Sequence, residues 1–180
     1  MTMTRSVMRG AAIVACALGM QSLSLAAEEE SVGNKVLDPK EIKEKMFPEL
    51  ACKELEDAGL KCMGFKPRVN LSLPTIRFAL GKADLPKETR EQLNPFAKVF
   101  QDLKGMASKV FIEGHADASG NAAGNLSLSQ RRAEAVKTYL VQQGADPSML
   151  QAVGRGTSAP KVTDNPFAAE NRRVVIGRPD

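Results

Sequence analysis

The stretch VFIEGHADASGNAAGNLSLSQRRAEAVKTYL, residues 110–140, predicts a strand, a loop and a helix in turn. The apolar run that ends at Gly114 is typical of a strand, and ASGNAAGN, residues 118–125, has the composition of a loop. Ser129 is placed to cap a helix that runs to Gln143, because apolar residues then recur on one face. The same alternation of strand and helix recurs in the sequence on both sides of this unit.

Two arginines, Arg131 and Arg132, fall in the first turn of that predicted helix. The free N–H groups and the dipole of a helix already present positive charge there, so a cation costs up to about 1 kcal/mol. The placement indicates an anionic partner.

Strand and helix patterns alternate on both sides of this unit. Residues 69–80 alternate as a strand, and residues 85–105 have the apolar stripe of a helix, with Pro95 predicting a bend or a late start. LQAVGRG, residues 150–156, and RRVVIGR, residues 172–178, complete the set after a loop with room for one helical turn. The alternation predicts an α/β sandwich with helices packed on one sheet.

Residues 1–26 have the pattern of a secretory signal peptide. Arg5 and Arg9 precede a short apolar run and then small residues, with cleavage expected after Ala26 or Ala27. The run is too short for a membrane span, although Cys16 keeps lipidation open as an alternative. We therefore expect an exported, periplasmic protein, with the outer membrane as a place of association.

The net charge and the two remaining cysteines limit which partners and which cross-links the exported part of the chain can have. Removing residues 1–26 lowers the formal net charge from +4 to +2, which is too mild and mixed to indicate nucleic acid. Cys52 and Cys62 remain in the exported part, and in an oxidising compartment we expect them to form a disulfide. The alternative is two free thiols. A zinc site is not expected, because no further Cys or His lies at the spacing that zinc ligands need. A bond requires the segment to turn, with Gly59 as the stop.

Three regions follow from these patterns: a signal peptide at 1–26, a helical extension at 27–68 and a folded domain at 69–180. The extension is charged and has Pro48 as a break. It names no function by itself, and it is suited to docking on the domain or on a partner.

One acid and one arginine are expected to meet at an edge of the sheet. The strand ending in IEGHAD delivers Asp117, and the loop leads on to the helix that carries Arg132. Such a pair suits a zwitterion, with a carboxylate on the arginine and an ammonium on the aspartate. The alternative is that the two residues pair with each other and only join loop to helix.

Several short motifs resemble the C-terminal domain of outer membrane protein A, which also occurs in peptidoglycan-associated lipoprotein and in flagellar-stator MotB proteins. They are Gly114-His115-Ala116-Asp117 with Gly120 and Asn125, LSQRRA at 128–133, Gly154-Arg155-Gly156 with Pro160, and Asn171-Arg172-Arg173-Val174. The similarity extends from about Val69 to Gly177.

The resemblance implies a βαβαββ mixed sheet with helices on one face, and noncovalent binding of peptidoglycan through diaminopimelate. Asp117 and Arg132 match the residues that grip the charged groups of that amino acid, and Asn125 is a supporting contact. The loop at Gly81–Lys82 and one of Arg172 or Arg173 are expected to line the groove. Ala116, Ala79 and Gly81 depart from the family pattern at positions where polar residues are common, and these departures are expected to weaken binding without removing Asp117 and Arg132.

The function expected is a tether of the outer membrane or of an envelope complex to the cell wall, without enzymatic activity, cofactor or metal. The alternatives are an interaction subunit of a secretion or motility complex, with residues 28–66 as the contact, and a cell-wall hydrolase. Glu113 with Asp117 is the acid pair that a hydrolase would need. His115 lacks a placed nucleophile, and we expect its ring to hydrogen-bond within the loop. The sequence leaves the oligomeric state open.

Overall fold

A computed structural model describes residues 27–62, 67–73, 78, 83–106 and 108–179. The elements alternate along the chain as the sequence predicts, with two short helices before the main unit. In chain order they are β1 (Glu28–Ser31), α1 (Pro39–Met46), α2 (Pro48–Asp57), β2 (Val69–Leu73), α3 (Lys87–Asp102), β3 (Val110–His115), α4 (Ala122–Gln142), β4 (Leu150–Gly156), a 3₁₀ turn (Ala169–Asn171) and β5 (Val174–Gly177).

The strands form one mixed sheet in the order β1-β2-β5-β3-β4. β5 runs antiparallel to both β2 and β3, whereas β4 is parallel to β3 and β1 is parallel to β2. From β2 onward the order is β-α-β-α-β-β, so the predicted βαβαββ mixed sheet is confirmed. The C-terminal end of β3 therefore lies between the start of β5 and the end of β4, and the loop that follows β3 is a neighbour of the loop that joins β4 to β5.

The core lies between the sheet and the helices. α3 supplies Leu93, Phe96 and Phe100 to it, and α4 supplies Val136 and Leu140, all essentially inaccessible to solvent. This is the apolar stripe that the sequence predicts for each helix. α3 begins at Lys87 and continues through Pro95, so the late start that was one expectation for this helix is wrong.

The start of α4 differs from the prediction. The helix begins at Ala122, and the side chain of Asn121 caps it by accepting a hydrogen bond from the Gly124 N–H at 2.7 Å. Ser129 is not the cap; it is fully buried within the helix. The glycine- and alanine-rich composition that suggests a loop does not prevent helix formation here, because the cap and the packing against the sheet outweigh the cost of Gly124.

The N-terminal extension is only partly helical. Its first residues form β1 at the edge of the sheet, where the sequence predicted helix, and Glu29 lies opposite Asn70 of β2. Cys52 and Cys62 form a disulfide with a Cα–Cα distance of 5.1 Å, which confirms the predicted bond. Apolar residues of the extension belong to the same buried cluster as the helices of the main unit; they are Leu37, Ile42, Met46 and Phe47.

Several sequence-based expectations lie outside the described residues. They are the signal peptide at 1–26 with Cys16, and the segment that contains Ala79, Gly81 and Lys82. Among the helices that are described, none has both the length and the apolar character needed to cross a membrane.

Candidate functional site

Asp117 lies just beyond the end of β3, and its side chain is almost fully buried. The residue is 7% exposed, and one carboxylate oxygen, Oδ1, accepts a hydrogen bond from the Ser119 N–H at 3.0 Å. Burial by itself raises the pKa of this carboxyl. The hydrogen bond from Arg172 and those from Ser119 outweigh it and leave the pKa of Asp117 below its ordinary value. Asp117 is thus held as an oriented, ionised carboxylate.

The second oxygen, Oδ2, forms an ion pair with the Nη1 of Arg172, which follows the 3₁₀ turn on the neighbouring loop. Among the described residues Asp117 forms its ion pair with Arg172, whereas the alternative considered from the sequence paired it with Arg132. The Arg172 side chain is 50% exposed, so water reaches the guanidinium while the carboxylate is shielded. Such a pair is accessible to a ligand from the arginine side.

Arg132 faces the same region from α4. Its guanidinium carbon lies 4.9 Å from the centre of the Phe78 ring, within range of a cation–π interaction. Burial is the largest cause of a lowered pKa for Arg132. The positive charges of Arg172 and Arg131 act in the same direction, and the charge of Asp117 opposes them. Two guanidinium groups therefore share the field of one carboxylate, which leaves the cluster positive overall.

The helix-dipole argument for Arg131 and Arg132 is wrong. Because α4 begins at Ala122, both arginines lie about three turns inside the helix, where the dipole has no appreciable effect. What places Arg132 near Asp117 is the packing of α4 on the sheet.

That packing depends on two glycines in adjacent strands. A Cβ at Gly114 of β3 would lie 2.2 Å from the Ser129 carbonyl oxygen, and one at Gly154 of β4 would lie 2.6 Å from the Gln130 N. The hydroxyl of Ser129 donates to the Leu126 carbonyl at 2.8 Å and accepts from the Gly156 N–H at 2.9 Å. The helix thus contacts the strands directly, and this fixes the distance between Arg132 and the β3 loop.

Asn125 supports the site through the backbone. Its amide nitrogen donates to the carbonyl of Asp117 at 3.2 Å and to that of Ser119 at 2.7 Å. Both bonds tie α4 to the loop that carries the carboxylate. Asn125 is therefore a positioning residue in this structure, with its donors directed at the protein.

Arg173 does not join the site, although it follows Arg172 directly. Its side chain is buried and forms a bidentate ion pair with Glu29 of β1. The sequence motif left open which arginine lines the groove; in the structure Arg172 is the one that contacts Asp117. Gly81, the remaining predicted site residue, lies outside the described residues.

A second charged cluster is formed by residues of β3 that precede Asp117 in the chain, together with one arginine of β4. Glu113 forms an ion pair with Arg155, and its Oε2 lies 3.6 Å from the Nε2 of His115. Burial raises the pKa of Glu113, but His115 and Arg155 together lower it to about 2. Glu113 is therefore ionised at neutral pH and does not supply the proton that a hydrolase acid must donate.

His115 differs from the expectation that its ring hydrogen-bonds within the loop. The residue is 3% exposed, and neither ring nitrogen meets a hydrogen-bond partner in the described part of the chain. The nearest acid to its ring is Glu113 on the same strand.

Comparison with known proteins agrees with this architecture. The model of the OmpA family matches residues 77–173. The chain is 40% identical over 107 residues to the peptidoglycan-associated lipoprotein of Pseudomonas aeruginosa, covering 58% of this chain and 62% of that protein. It is 37% identical over 103 residues to outer membrane protein A of Bordetella avium, covering 55% of this chain and 51% of that protein.

A solved structure has the same fold. The peptidoglycan-associated lipoprotein from Burkholderia pseudomallei matches with a TM-score of 0.52 and 25% identity, over 60% of this chain and 89% of that one. The match thus covers nearly all of that structure, while the chain spans less than two thirds of the length of the two curated relatives above.

Proposed function

This chain belongs to the OmpA family, and we propose that it binds peptidoglycan noncovalently, through the diaminopimelate residue of the stem peptide. In this role it tethers the outer membrane or an envelope complex to the cell wall and does not cleave the polymer. The proposal rests above all on one observation: the shielded carboxylate of Asp117 faces two guanidinium groups, one of them half-exposed.

The chemistry of the ligand matches this arrangement. The free end of diaminopimelate carries an ammonium and a carboxylate on one carbon. Asp117 accepts hydrogen bonds from the ammonium, while Arg172 and Arg132 donate to the carboxylate. The ligand therefore replaces the ion pair of Asp117 and Arg172 with two charge-assisted contacts, each about twice as strong as a neutral hydrogen bond.

The net affinity for the stem peptide depends on the free-energy cost of opening the ion pair between Asp117 and Arg172. The Asp117 carboxylate is shielded, so opening its pair with Arg172 costs little only because the ammonium of the ligand takes the place of the guanidinium and leaves no buried charge unpaired. Hydrogen bonds to charged groups contribute about 1.5–3 kcal/mol each, which gives a modest affinity for a single site. Many stem peptides on one polymer then raise the retention of the protein through effective concentration.

The relatives support an envelope location. One is named peptidoglycan-associated lipoprotein and another outer membrane protein A. We place this protein in the periplasm, exported by the signal peptide at 1–26, with residues 28–66 as the contact to an envelope partner. On α2 and just beyond it, Leu55 and Leu60 are exposed and are available for such a contact.

The test is co-sedimentation with purified sacculi that contain diaminopimelate. We expect Asp117→Asn and Arg132→Gln each to lower the bound fraction at least tenfold, because each removes one charged contact. Asp146→Asn is a matched control, since the side chain of Asp146 accepts the Ser148 N–H two residues on, as Asp117 does with Ser119. Arg90→Gln on the exposed side of α3 controls for loss of positive charge.

Two results would contradict the proposal. Retention of Asp117→Asn at the level of Asp146→Asn would mean that the carboxylate only joins loop to loop. Release of soluble fragments from the sacculi by the unmodified protein would mean that it is a hydrolase.

A further inference from the structure

The loop between β4 and β5, residues 157–173, is anchored from inside the protein. Asn171 is fully buried, and its carbonyl oxygen Oδ1 accepts hydrogen bonds from the N–H groups of Lys161 and Val162 at 2.8 and 2.9 Å. Its amide nitrogen donates to the Asn165 carbonyl at 3.1 Å. Arg172, which meets Asp117, is the next residue. One end of the backbone that carries Arg172 is therefore fixed by Asn171.

The other end is fixed by Arg173 and by the N-terminal strand. The Nε and Nη2 of Arg173 lie 2.8 and 2.9 Å from the two carboxylate oxygens of Glu29. The Nη1 of Arg173 donates to the Ala159 carbonyl at 3.3 Å, and the Nζ of Lys161 lies 3.3 Å from the carboxylate of Glu29. A single carboxylate on β1 thus balances two cations that belong to the loop.

Glu29 is 144 residues away from Arg173 in the sequence and lies outside the span that the family model matches. Its carboxylate is well suited to this contact. Burial raises its pKa, but the hydrogen bond and the charge of Arg173, with Ser72 and Lys161, leave the pKa of Glu29 below the ordinary value. The carboxylate of Glu29 therefore stays ionised across the neutral range.

We propose that Glu29 is a positioning residue for the peptidoglycan site: through Arg173 it holds the β4–β5 loop in the place where Arg172 meets Asp117. This inference rests on the proposed function of that site. It assigns a part in wall binding to the N-terminal strand, which lies at the edge of the sheet.

The physical reason is the cost of an unpaired buried charge. Without the carboxylate of Glu29, the guanidinium of Arg173 is buried beside Lys161 and has no other ion-pair partner among the described residues, so the side chain must turn toward water. Because Arg172 is bonded directly to Arg173, a backbone shift at one residue moves the other. The ligand then meets a site in which one of its two arginines is displaced.

A neighbour on the same strand provides the control. Glu30 forms an ion pair with Lys45 at 2.7 Å, and both side chains are partly exposed. The Glu30→Gln variant removes the same charge from β1 without affecting the loop. Any difference between the two variants therefore reports on the contact with Arg173.

The experiment measures the dissociation constant for purified diaminopimelate-containing sacculi in a double-mutant cycle of Glu29→Gln and Arg172→Gln. We expect Glu29→Gln to weaken binding about 3- to 30-fold, the range of coupling through a packed network, and Glu30→Gln to leave it unchanged. In the Arg172→Gln background, Glu29→Gln is expected to have no further effect.

Equal binding by Glu29→Gln and Glu30→Gln would overturn the inference, and so would a loss by Glu29→Gln of the same size in both backgrounds, which is the signature of general destabilisation. Thermal unfolding of each variant shows whether it is folded. If Glu29→Gln is not, Glu29→Asp, which keeps the charge at shorter reach, takes its place in the cycle under the same criteria. Asp117→Asn is measured alongside: normal binding by that variant refutes the proposed function itself, whereas its loss with normal binding by Glu29→Gln refutes only the positioning role.

Discussion

We expect Gly114→Ala to move α4 away from the sheet and so to weaken binding at the candidate site, although the substitution changes no charged residue. The added Cβ would lie 2.2 Å from the carbonyl oxygen of Ser129 and 2.9 Å from its carbonyl carbon. Ordinary van der Waals contact needs about 3.4 Å or more, so the helix or the strand must move by about 1 Å. Both partners are backbone, and no flexible side chain can move aside to relieve the clash.

The expected cost is at the upper end of the range for overpacking, about 3 kcal/mol. For a domain of this size a loss of 1 kcal/mol lowers the melting temperature by about 2–4 °C, so we expect a decrease of about 6–12 °C. Urea unfolding followed by circular dichroism measures the free energy directly. Because Arg132 moves with α4, the variant should also bind sacculi more weakly than the unmodified protein at a temperature where both are folded.

Gly124→Ala is the control for this prediction. Gly124 lies in α4 itself, and the atoms nearest to an added Cβ would belong to the side chain of Asn121, the first of them at 3.2 Å. The gain in helix propensity, about 1 kcal/mol, offsets the slight crowding of the cap, so we expect a net change below 1 kcal/mol. A Gly114→Ala protein as stable as Gly124→Ala would refute the claim that a glycine contact sets the spacing between helix and sheet.

The remaining predictions concern pH and the helix cap. Glu113 has a pKa of about 2 in the folded protein against 4.5 for the free side chain, so its contribution to stability is present above about pH 4.5 and is lost as the pH falls toward 2. Urea unfolding at pH 3 and pH 6 should therefore show a smaller pH dependence for Glu113→Gln than for the unmodified protein, and an equal dependence would contradict the assignment. Asn121→Ala should cost about 1 kcal/mol, since it removes the acceptor for the Gly124 N–H and leaves the other contacts of α4 in place. An unchanged midpoint in thermal unfolding would place the start of the helix elsewhere.

The N-terminal extension packs into the same core as the main unit, which its composition does not suggest. The sequence presents a charged, largely helical segment with a disulfide, which is equally compatible with a separate cap. In the structure Phe47 packs edge-on against Phe100 of α3, and Arg178 contacts the Phe47 ring from the other end of the chain. Both contacts are made by residues distant in sequence, so the pattern of the segment itself did not reveal them.

The sequence by itself determined the order of strands and helices in the main unit, the apolar stripes of α3 and α4, and the position of Asp117 after β3. These features depend on local periodicity and on turn residues, which operate within a few positions of the chain. The prediction was wrong at the start of α4: Ser129 has the chemistry of a helix cap, but in the structure its hydroxyl lies inside the helix and accepts from Gly156 of β4, while Asn121 caps the helix about two turns earlier.

Only the tertiary structure decided which arginine meets Asp117, which one Glu29 holds, and that the first residues of the extension form a strand. In each case the partners are far apart in the chain: 55 residues separate Asp117 from Arg172, and 144 separate Glu29 from Arg173. An ion pair depends on the distance between charges in space, and that distance is set by how strands pair and helices pack. Residue types and spacing indicate which charged groups are available to form ion pairs. Which arginine pairs with which acid depends on how the strands pair and the helices pack.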